Sequence, residues 1–241
     1  MTMPENATAS ARPTTHLTLQ ITLLSDTTFG RGDGVAGLVD AEVQHTLEGL
    51  PFVGGRAVRG LLVEECGNLL FALGQVQTGR WHEAARYLFG LPGSTADTRG
   101  ALSVGDAQLP LALRQAIRAS GLNRDEVLSA LTTIRRQTSI DGPLGSPKKE
   151  TLRALRVVLR ETIFEASLTI DTRLAAGQGR HDDALALLGA CAKSLRRAGM
   201  SRHRGRGEVR ARLRDPDASD DEAGDQTERL FNRFVQGVMQ P

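Results

Sequence analysis

Three short segments with strictly alternating apolar residues constrain this chain more than any other feature. "HLTLQITLLS" (16–25) sets Leu17, Leu19, Ile21 and Leu23 against polar neighbours. "TIFEASLTI" (162–170) repeats the pattern, and "EVRARL" (208–213) puts Val209, Ala211 and Leu213 on one side. A period of two marks a strand with one buried face and one wet face. Between these strands the apolar spacing turns helical. Residues 56–70 carry Val58, Leu61, Leu62 and Leu69, with Gly60 and Gly67 against the pattern. "RWHEAARYLFG" (80–90) spaces Trp81, Ala84, Ala85 and Leu88 as one helical stripe and stops at Gly90. "ALSVGDAQL" (101–109) reads as a strand, and residues 110–134 as two short helices broken near Gly121. "HDDALALLGACAKSLRRAG" (181–199) stripes Ala184, Leu188, Cys191 and Leu195. Asp182 and Asp183 fall in its first turn, Arg196 and Arg197 in its last, and Gly199 ends it. The order strand–helix, strands, helix–strand is that of a ferredoxin-like α+β unit with insertions.

A length of 241 residues with 40% hydrophobic content suffices for a real core in one large domain or two small ones. The net charge of +2 hides a strong asymmetry. Residues 193–214 contain Lys193, Arg196, Arg197, Arg202, Arg204, Arg206, Arg210, Arg212 and Arg214 against Glu208 alone. Residues 215–228 then hold seven acids and no base. Organisation follows from these shifts. Residues 1–15 read as a disordered lead, 16–214 as the α+β domain, and 215–226 as an acidic linker. Residues 227–241 form a C-terminal amphipathic helix, with Asp225 and Glu228 spaced as a capping box. That helix must bury Leu230, Phe231, Phe234 and Val235 against its own core or a neighbouring subunit. Within the domain, "TSIDGPLGSPKKET" (138–151) reads as an exposed excursion. Cys66 and Cys191 sit in apolar helical contexts as free thiols, and the five histidines are too scattered for a metal cluster. With no signal-peptide core and no 18-residue apolar run, a cytoplasmic protein without a membrane partner is expected.

Two stretches carry candidate chemistry. "GRGDGVAG" (30–37) is neither a P-loop, lacking G-K-[ST], nor a dinucleotide fingerprint, since the following "LVDAEVQ" is strand-like. Alone it reads as a flexible loop, or as the site of a small-molecule nucleotide enzyme. "RRAGMSRHRGRGEVR" (196–210) is more pointed. Its glycines let backbone N–H groups approach phosphate, and its arginines supply bidentate partners and release counterions. Asp40, between Val39 and Ala41, is either a turn former or a carboxylate acting on a ribose 2′-OH with a divalent metal. His45 is a candidate general acid/base on the same segment.

In combination these pieces resemble the RAMP superfamily, and more narrowly the backbone subunits of type III CRISPR effectors, the Csm and Cmr ribonucleoproteins. "LTLQITLLSDTTFG" resembles the family's first strand running into a glycine. "GLVDAEV" resembles its Gly-x-x-Asp-x-x-Val/Ile piece, and "GLPFVGGRAVRG" its Gly-x-Pro-x-Ile-Pro-Gly-Ser-Ser-Leu-Lys-Gly segment. "TSIDGPLGSPKKETLRALRVVLRETIFEASLTI" is similar to the family's thumb, and "GMSRHRGRGEV" to its C-terminal glycine-rich loop. The resemblance spans about residues 16–214. It implies a modified ferredoxin-like (RRM-type) palm with helical insertions and a thumb hairpin at about 135–165, bearing Ile140 and Asp141. It implies a filament of copies or related RAMP subunits along a CRISPR guide RNA, contacting other effector subunits. It also implies metal-dependent (Mg²⁺ or Mn²⁺) endoribonuclease cleavage of complementary target RNA, with Asp40 as catalytic and metal-holding residue. RNA-backbone contacts then fall on Arg56, Arg59, Gly199, Ser201, Arg202, Arg204, Gly205, Arg206 and Gly207.

The departures keep alternatives open. Pro-Gly-Ser-Ser becomes Gly54-Gly55-Arg56-Ala57, exchanging hydroxyls for a cation, and a usual basic position is Val63. Both changes suit a divergent backbone subunit or a non-catalytic capping or structural subunit. A CRISPR-precursor-processing RAMP nuclease is the third option, and it would need a group such as His45. The 4% aromatic content fits backbone-led RNA binding rather than base stacking on a sheet.

Overall fold

The computed structural model of the chain describes residues 14–35, 38–91, 99–138, 152–174, 178–202, 204–218 and 224–240. In chain order its elements are β1 (Thr14–Leu23), β2 (Phe52–Val53), α1 (Gly55–Ala72), α2 (Arg80–Phe89), β3 (Leu102–Val104), β4 (Ala107–Gln108), α3 (Leu111–Ala119), α4 (Arg124–Leu131), β5 (Thr132–Gln137), β6 (Arg153–Val158), β7 (Ile163–Asp171), α5 (Gln178–Ser194), β8 (Val209–Arg214) and α6 (Thr227–Met239).

The three alternating segments become β1, β7 and β8, and they pair with one another. β1 lies between β7 and β8, antiparallel to both. Register sets Ile21 opposite Phe164 and Ala211, and Leu19 opposite Ala166 and Leu213, so the apolar residues share one buried face. The second strand of the ferredoxin-like unit is split. Gly105 and Asp106 separate β3 from β4, and both pieces pair with β7. The resulting order, β8–β1–β7 and then β3 and β4, is the 4-1-3-2 arrangement of a ferredoxin-like sheet, extended by β2 at the far edge. Helices α1 and α5 supply the two crossovers. The opposite face presents Thr18, Gln20, Thr22, Glu165, Ser167, Thr169, Arg210 and Arg212, and at the far edge Gln108 and Phe52, which lie in register with Glu165.

Helix α5 is sequestered on every side, with Leu187, Leu188, Ala190, Cys191 and Ala192 fully buried. It starts at Gln178 and ends at Ser194, so Asp182 and Asp183 lie inside it rather than in its first turn. They pair with Arg233 of α6 and Arg80 of α2 instead. Its cover is α6, which packs in cis. Leu230 and Phe234 are buried, and the Phe234 ring meets Trp81 of α2 at 4.5 Å between centroids. The helices approach so closely that a Cβ on Gly189 would fall 2.4 Å from that of Leu230. The capping box expected at Asp225–Glu228 does not form. Asp225 accepts from Thr227 N at 2.8 Å, while Glu228 is drawn away to Lys193. A complete capping box instead starts α4, where Asn123 and Glu126 exchange bonds with each other's backbone. Cys66 of α1 and Cys191 of α5 are both buried free thiols. A hydrogen bond to Cys66, together with burial, holds Cys191 well above the usual thiol range.

From Thr132 the chain leaves the helix expected there and becomes a strand. β5 and β6 form a two-stranded antiparallel hairpin, with Thr132 opposite Val158 and Gln137 opposite Arg153. Two β-branched threonines after Leu131 favour this change. The hairpin projects from the sheet as a thumb on a palm.

Candidate nucleic-acid interface

The glycine-rich stretch is a paired ribbon rather than a flexible loop. Gln44 N donates to Phe29 O at 2.9 Å, Arg31 N to Glu42 O at 3.0 Å, and Glu42 N to Asp33 O at 3.0 Å. The two runs meet where Val35 N donates to Val39 O at 2.8 Å. Gly34 is required by this closure, since a Cβ there would lie 2.4 Å from Val39 O.

The ribbon delivers Asp40 to the root of the thumb. Asp40 N donates to Ala154 O at 2.7 Å, and Ala154 N donates back to Asp40 Oδ2 at 2.6 Å. One residue on, Ala41 bridges Leu155 in parallel, and Arg156 N donates to Ala41 O at 3.0 Å. The thumb base is therefore three strands wide: β5, β6 and the Asp40 run. Asp40 itself is exposed, with one carboxylate oxygen committed to β6. Beneath it, Glu42 and Arg156 form a buried ion pair at 2.8 Å, and Arg156 Nη1 reaches Thr132 Oγ1 at 3.3 Å. Neither partner is visible to local sequence reasoning, because 114 positions separate them.

The C-terminal loop is built on left-handed backbone at Gly199, Ser201, Gly205 and Gly207 (φ of 80°, 59°, 76° and 73°). Ala198 N donates to Gly207 O at 2.8 Å, closing the loop at its neck. Gly207 has no room for a side chain, because a Cβ would sit 2.1 Å from Ala198 O. Met200 N donates to Thr28 O at 2.9 Å, so the loop rests on the segment that leads into the ribbon. Thr27 in turn bridges Val158 at the foot of β6. Arg202 leans over α1 in a bidentate pair with Glu64, at 2.8 Å for each bond. Arg204 is exposed, and Arg206 is half-buried. The loop, the ribbon and the thumb root thus form one continuous surface.

Other expected residues are placed apart from it or used structurally. Arg56 is exposed in the first turn of α1, whose Gly55 N is capped by Asp106 Oδ1 at 2.7 Å. Gly55 itself packs so tightly that a Cβ would lie 2.5 Å from Val104 O, so this position, which falls on the glycine of the family pattern, has no room for a side chain. Arg59 donates to Phe89 O at 2.8 Å and stacks on the Phe89 ring at 5.6 Å, fastening α1 to the end of α2. His45 has both ring nitrogens engaged, Nδ1 with Thr46 O at 2.9 Å and Nε2 with Arg124 at 3.5 Å. Ile140 and Asp141 lie outside the described residues. Among the described residues no group of three or more His, Cys, Asp or Glu is arranged to hold a metal ion.

A ferredoxin-like palm carrying a β-hairpin thumb and a glycine–arginine loop defines a protein of the RRM-type class. The RAMP superfamily model matches residues 20–210, and the chain belongs to that superfamily. Its fold is similar to a chain of the cryo-EM structure of the Type III-B Cmr-beta bound to cognate target RNA. The TM-score is 0.58 and the identity 12%, over 83% of this chain and 97% of that one. The apo state of Type III-B Cmr-beta gives a TM-score of 0.57 at 14% identity, over 82% and 96%. No curated protein matches the chain.

Proposed function

We propose that the chain is an RNA-binding subunit of a type III CRISPR effector ribonucleoprotein that takes part in cleaving target RNA complementary to the guide. RAMP membership and the likeness to Cmr-beta chains support the class. The double hydrogen bond between Asp40 and Ala154 carries the cleavage reading, because it holds an exposed carboxylate at the root of a thumb. A thumb that separates guide from target would leave a backbone linkage beside that carboxylate.

The donor set fits a hard divalent cation of the Mg²⁺ kind, which commonly takes one or two carboxylates and leaves its other positions to phosphate oxygens and water. Asp40 would hold such an ion through its uncommitted oxygen, and the ion, when bound, supplies charge neutralisation at the scissile phosphate. Asp40 orients the ribose 2′-OH or takes up its proton, and the β6 backbone fixes the carboxylate's direction. His45, with both nitrogens engaged, is poorly placed for the acid–base role that a precursor-processing nuclease would need.

The test is assembly of the effector with guide RNA and a labelled complementary target, in Mg²⁺ or Mn²⁺. Asp40→Asn retains the acceptor for Ala154 N and should leave target binding intact while abolishing cuts opposite this subunit. Complexes of this variant that cut at every site would remove Asp40 from the mechanism and favour a structural or capping role. Cleavage that persists in EDTA and is lost in His45→Ala would favour the processing nuclease.

A further inference from the structure

Strand β8 is one outer edge of the sheet, and only part of that edge is covered. Arg210, Arg212 and Arg214 lie opposite Thr22, Gln20 and Thr18 of β1, while the backbone groups of Val209, Ala211 and Leu213 point outward. Short pieces of chain close the two ends. Val209 N donates to Arg196 O at 2.9 Å at one end. At the other, Leu213 N donates to Thr227 Oγ1 at 2.8 Å, and Leu213 O accepts from Gln226 N at 2.8 Å. Between these closures Val209 O, Ala211 N and Ala211 O have no partner among the described residues. Ala211 is buried, and buried backbone groups are nearly always paired. From Val209 to Leu213 the edge runs about 13 Å, room for about three extended residues.

This gap looks onto a groove of about 680 Å³. Lys193, Arg196, Arg210 and Arg212 line it against Glu208, Asp225 and Glu228. Lys193 pairs with Glu228, and Arg212 with Asp225 at 3.6 Å. Arg196 and Arg210 are exposed, and their guanidinium groups have no partner among the described residues. The groove is therefore left with a positive surplus. Its other wall is apolar, from Leu195, Val209 and Ala211. The pleat separates the two characters, with Arg210 and Arg212 on the wet face and Ala211 on the core face. A strand added beside β8 sets each of its side chains on the same face as the residue opposite. The residue facing Ala211 meets the apolar wall, and its two neighbours lie beside Arg210 and Arg212.

We propose that the open edge of β8 is a slot for a short extended segment of a partner protein, with the side-chain pattern acidic–apolar–acidic. The segment runs antiparallel to β8. Its central residue exchanges two backbone hydrogen bonds with Ala211, and a third N–H reaches Val209 O. One acid pairs with Arg210, and the other draws Arg212 from its longer contact with Asp225. The closed ends admit so few residues that pairing with the whole β8 of a second copy is excluded. The slot does not depend on the RNA-binding reading.

The test is an NMR titration of the isotope-labelled full chain with acetyl-Ser-Glu-Val-Glu-Ser-amide, following the Ala211 amide. A second peptide carries N-methylvaline at its centre, which removes the N–H that meets Ala211 O. A third has lysine in place of both glutamates, and an oligouridylate forms a fourth arm. Arg210→Gln changes an exposed side chain, and Arg136→Gln, also exposed but on the thumb, is the control for general charge. The first peptide should shift the Ala211 amide and slow its exchange with solvent. N-methylation should weaken binding about tenfold and Arg210→Gln about fivefold, with Arg136→Gln binding as wild type. Equal affinity for the N-methylated peptide would overturn strand pairing, and equal affinity for the lysine peptide would overturn the acidic preference. Equal losses in Arg210→Gln and Arg136→Gln would reduce the slot to general attraction and overturn it. No movement of Ala211 at millimolar peptide would do the same. An oligouridylate that shifts Ala211 and displaces the peptide would replace the slot with an RNA surface.

Discussion

Glu42 and Arg156 meet at 2.8 Å with their side chains only 3% and 12% exposed, and they join the catalytic-candidate ribbon to the thumb. The carboxylate also accepts from Val43 N at 2.9 Å, so both partners have satisfied hydrogen bonds as well as opposite charge. Taking either away leaves the other charge buried. Glu42→Ala or Arg156→Ala should cost about 3–5 kcal/mol in urea unfolding, and the double replacement by apolar residues of similar volume much less. A double cost equal to the sum of the two single costs would show that the pair is not coupled.

The cis packing of α6 makes a second expectation. A Cβ on Gly189 collides with Leu230, so Gly189→Ala forces α6 away from α5. A loss of about 1–3 kcal/mol is expected for this overpacking. Phe234→Ala, which empties the contact with Trp81, should cost about 3–5 kcal/mol. Both variants would unfold with unchanged stability if α6 served only a neighbouring subunit.

His181 links stability to pH. It is buried, with Nε2 at 3.1 Å from Thr15 Oγ1 and Nδ1 at 3.5 Å from the Tyr87 hydroxyl, and burial lowers its pKa below the ordinary 6.5. The native state therefore keeps the ring neutral while the unfolded chain binds a proton. Its contribution is complete above the unfolded value and is lost as pH falls from about 6.5 toward the folded value. Urea midpoints measured from pH 8 downward should drop in that window, and His181→Gln should flatten the drop.

These relationships also show what was legible in the sequence. The alternation of Leu19, Ile21, Phe164, Ala166, Ala211 and Leu213 determined which strands share a buried face, and the helix spacing supplied the crossovers. Local patterns go no further than their own window. Thr132–Gln137 follows a helix without a break residue, so its turn into a strand is decided by pairing with Arg153–Val158 across the thumb. Glycines at 30–37 look mobile until Phe29, Arg31 and Asp33 are seen bonded to Gln44 and Glu42. Asp40 could be singled out because its motif is local. Its partner Ala154 could not, nor could the Glu42–Arg156 pair or the Asp26–Arg135 ion pair, since each joins residues more than a hundred positions apart.

Glycines in the C-terminal loop divide into two physical kinds. Gly207→Ala drives a Cβ against Ala198 O and must open the neck of the loop, whereas a Cβ on Gly205 meets nothing within 4 Å. Both have positive φ, so Gly205→Ala bears only the left-handed backbone penalty of about 1 kcal/mol. Gly207→Ala should lower thermal stability more and abolish RNA binding, and Gly205→Ala should retain most of both. Equal losses would mean that the neck is not what shapes the loop.

Arg202 offers the sharpest separation of charge from geometry. Glu64 occupies its guanidinium through two 2.8 Å bonds, and both side chains are partly solvent-exposed. An exposed pair of this kind contributes about 0–1 kcal/mol to stability, so removing the acid scarcely affects folding. It does remove a competitor for phosphate. Glu64→Gln should therefore raise RNA affinity severalfold at low salt and leave the unfolding midpoint nearly unchanged, while Arg202→Ala should lower affinity and reduce the salt slope by about one. Because an added cation or a lost anion anywhere strengthens RNA binding a little, Glu126→Gln, on α4 and bonded to Asn123 N, serves as the control. A rise in affinity no greater than that control would show that Arg202 is held for packing over α1 and is not released to the RNA.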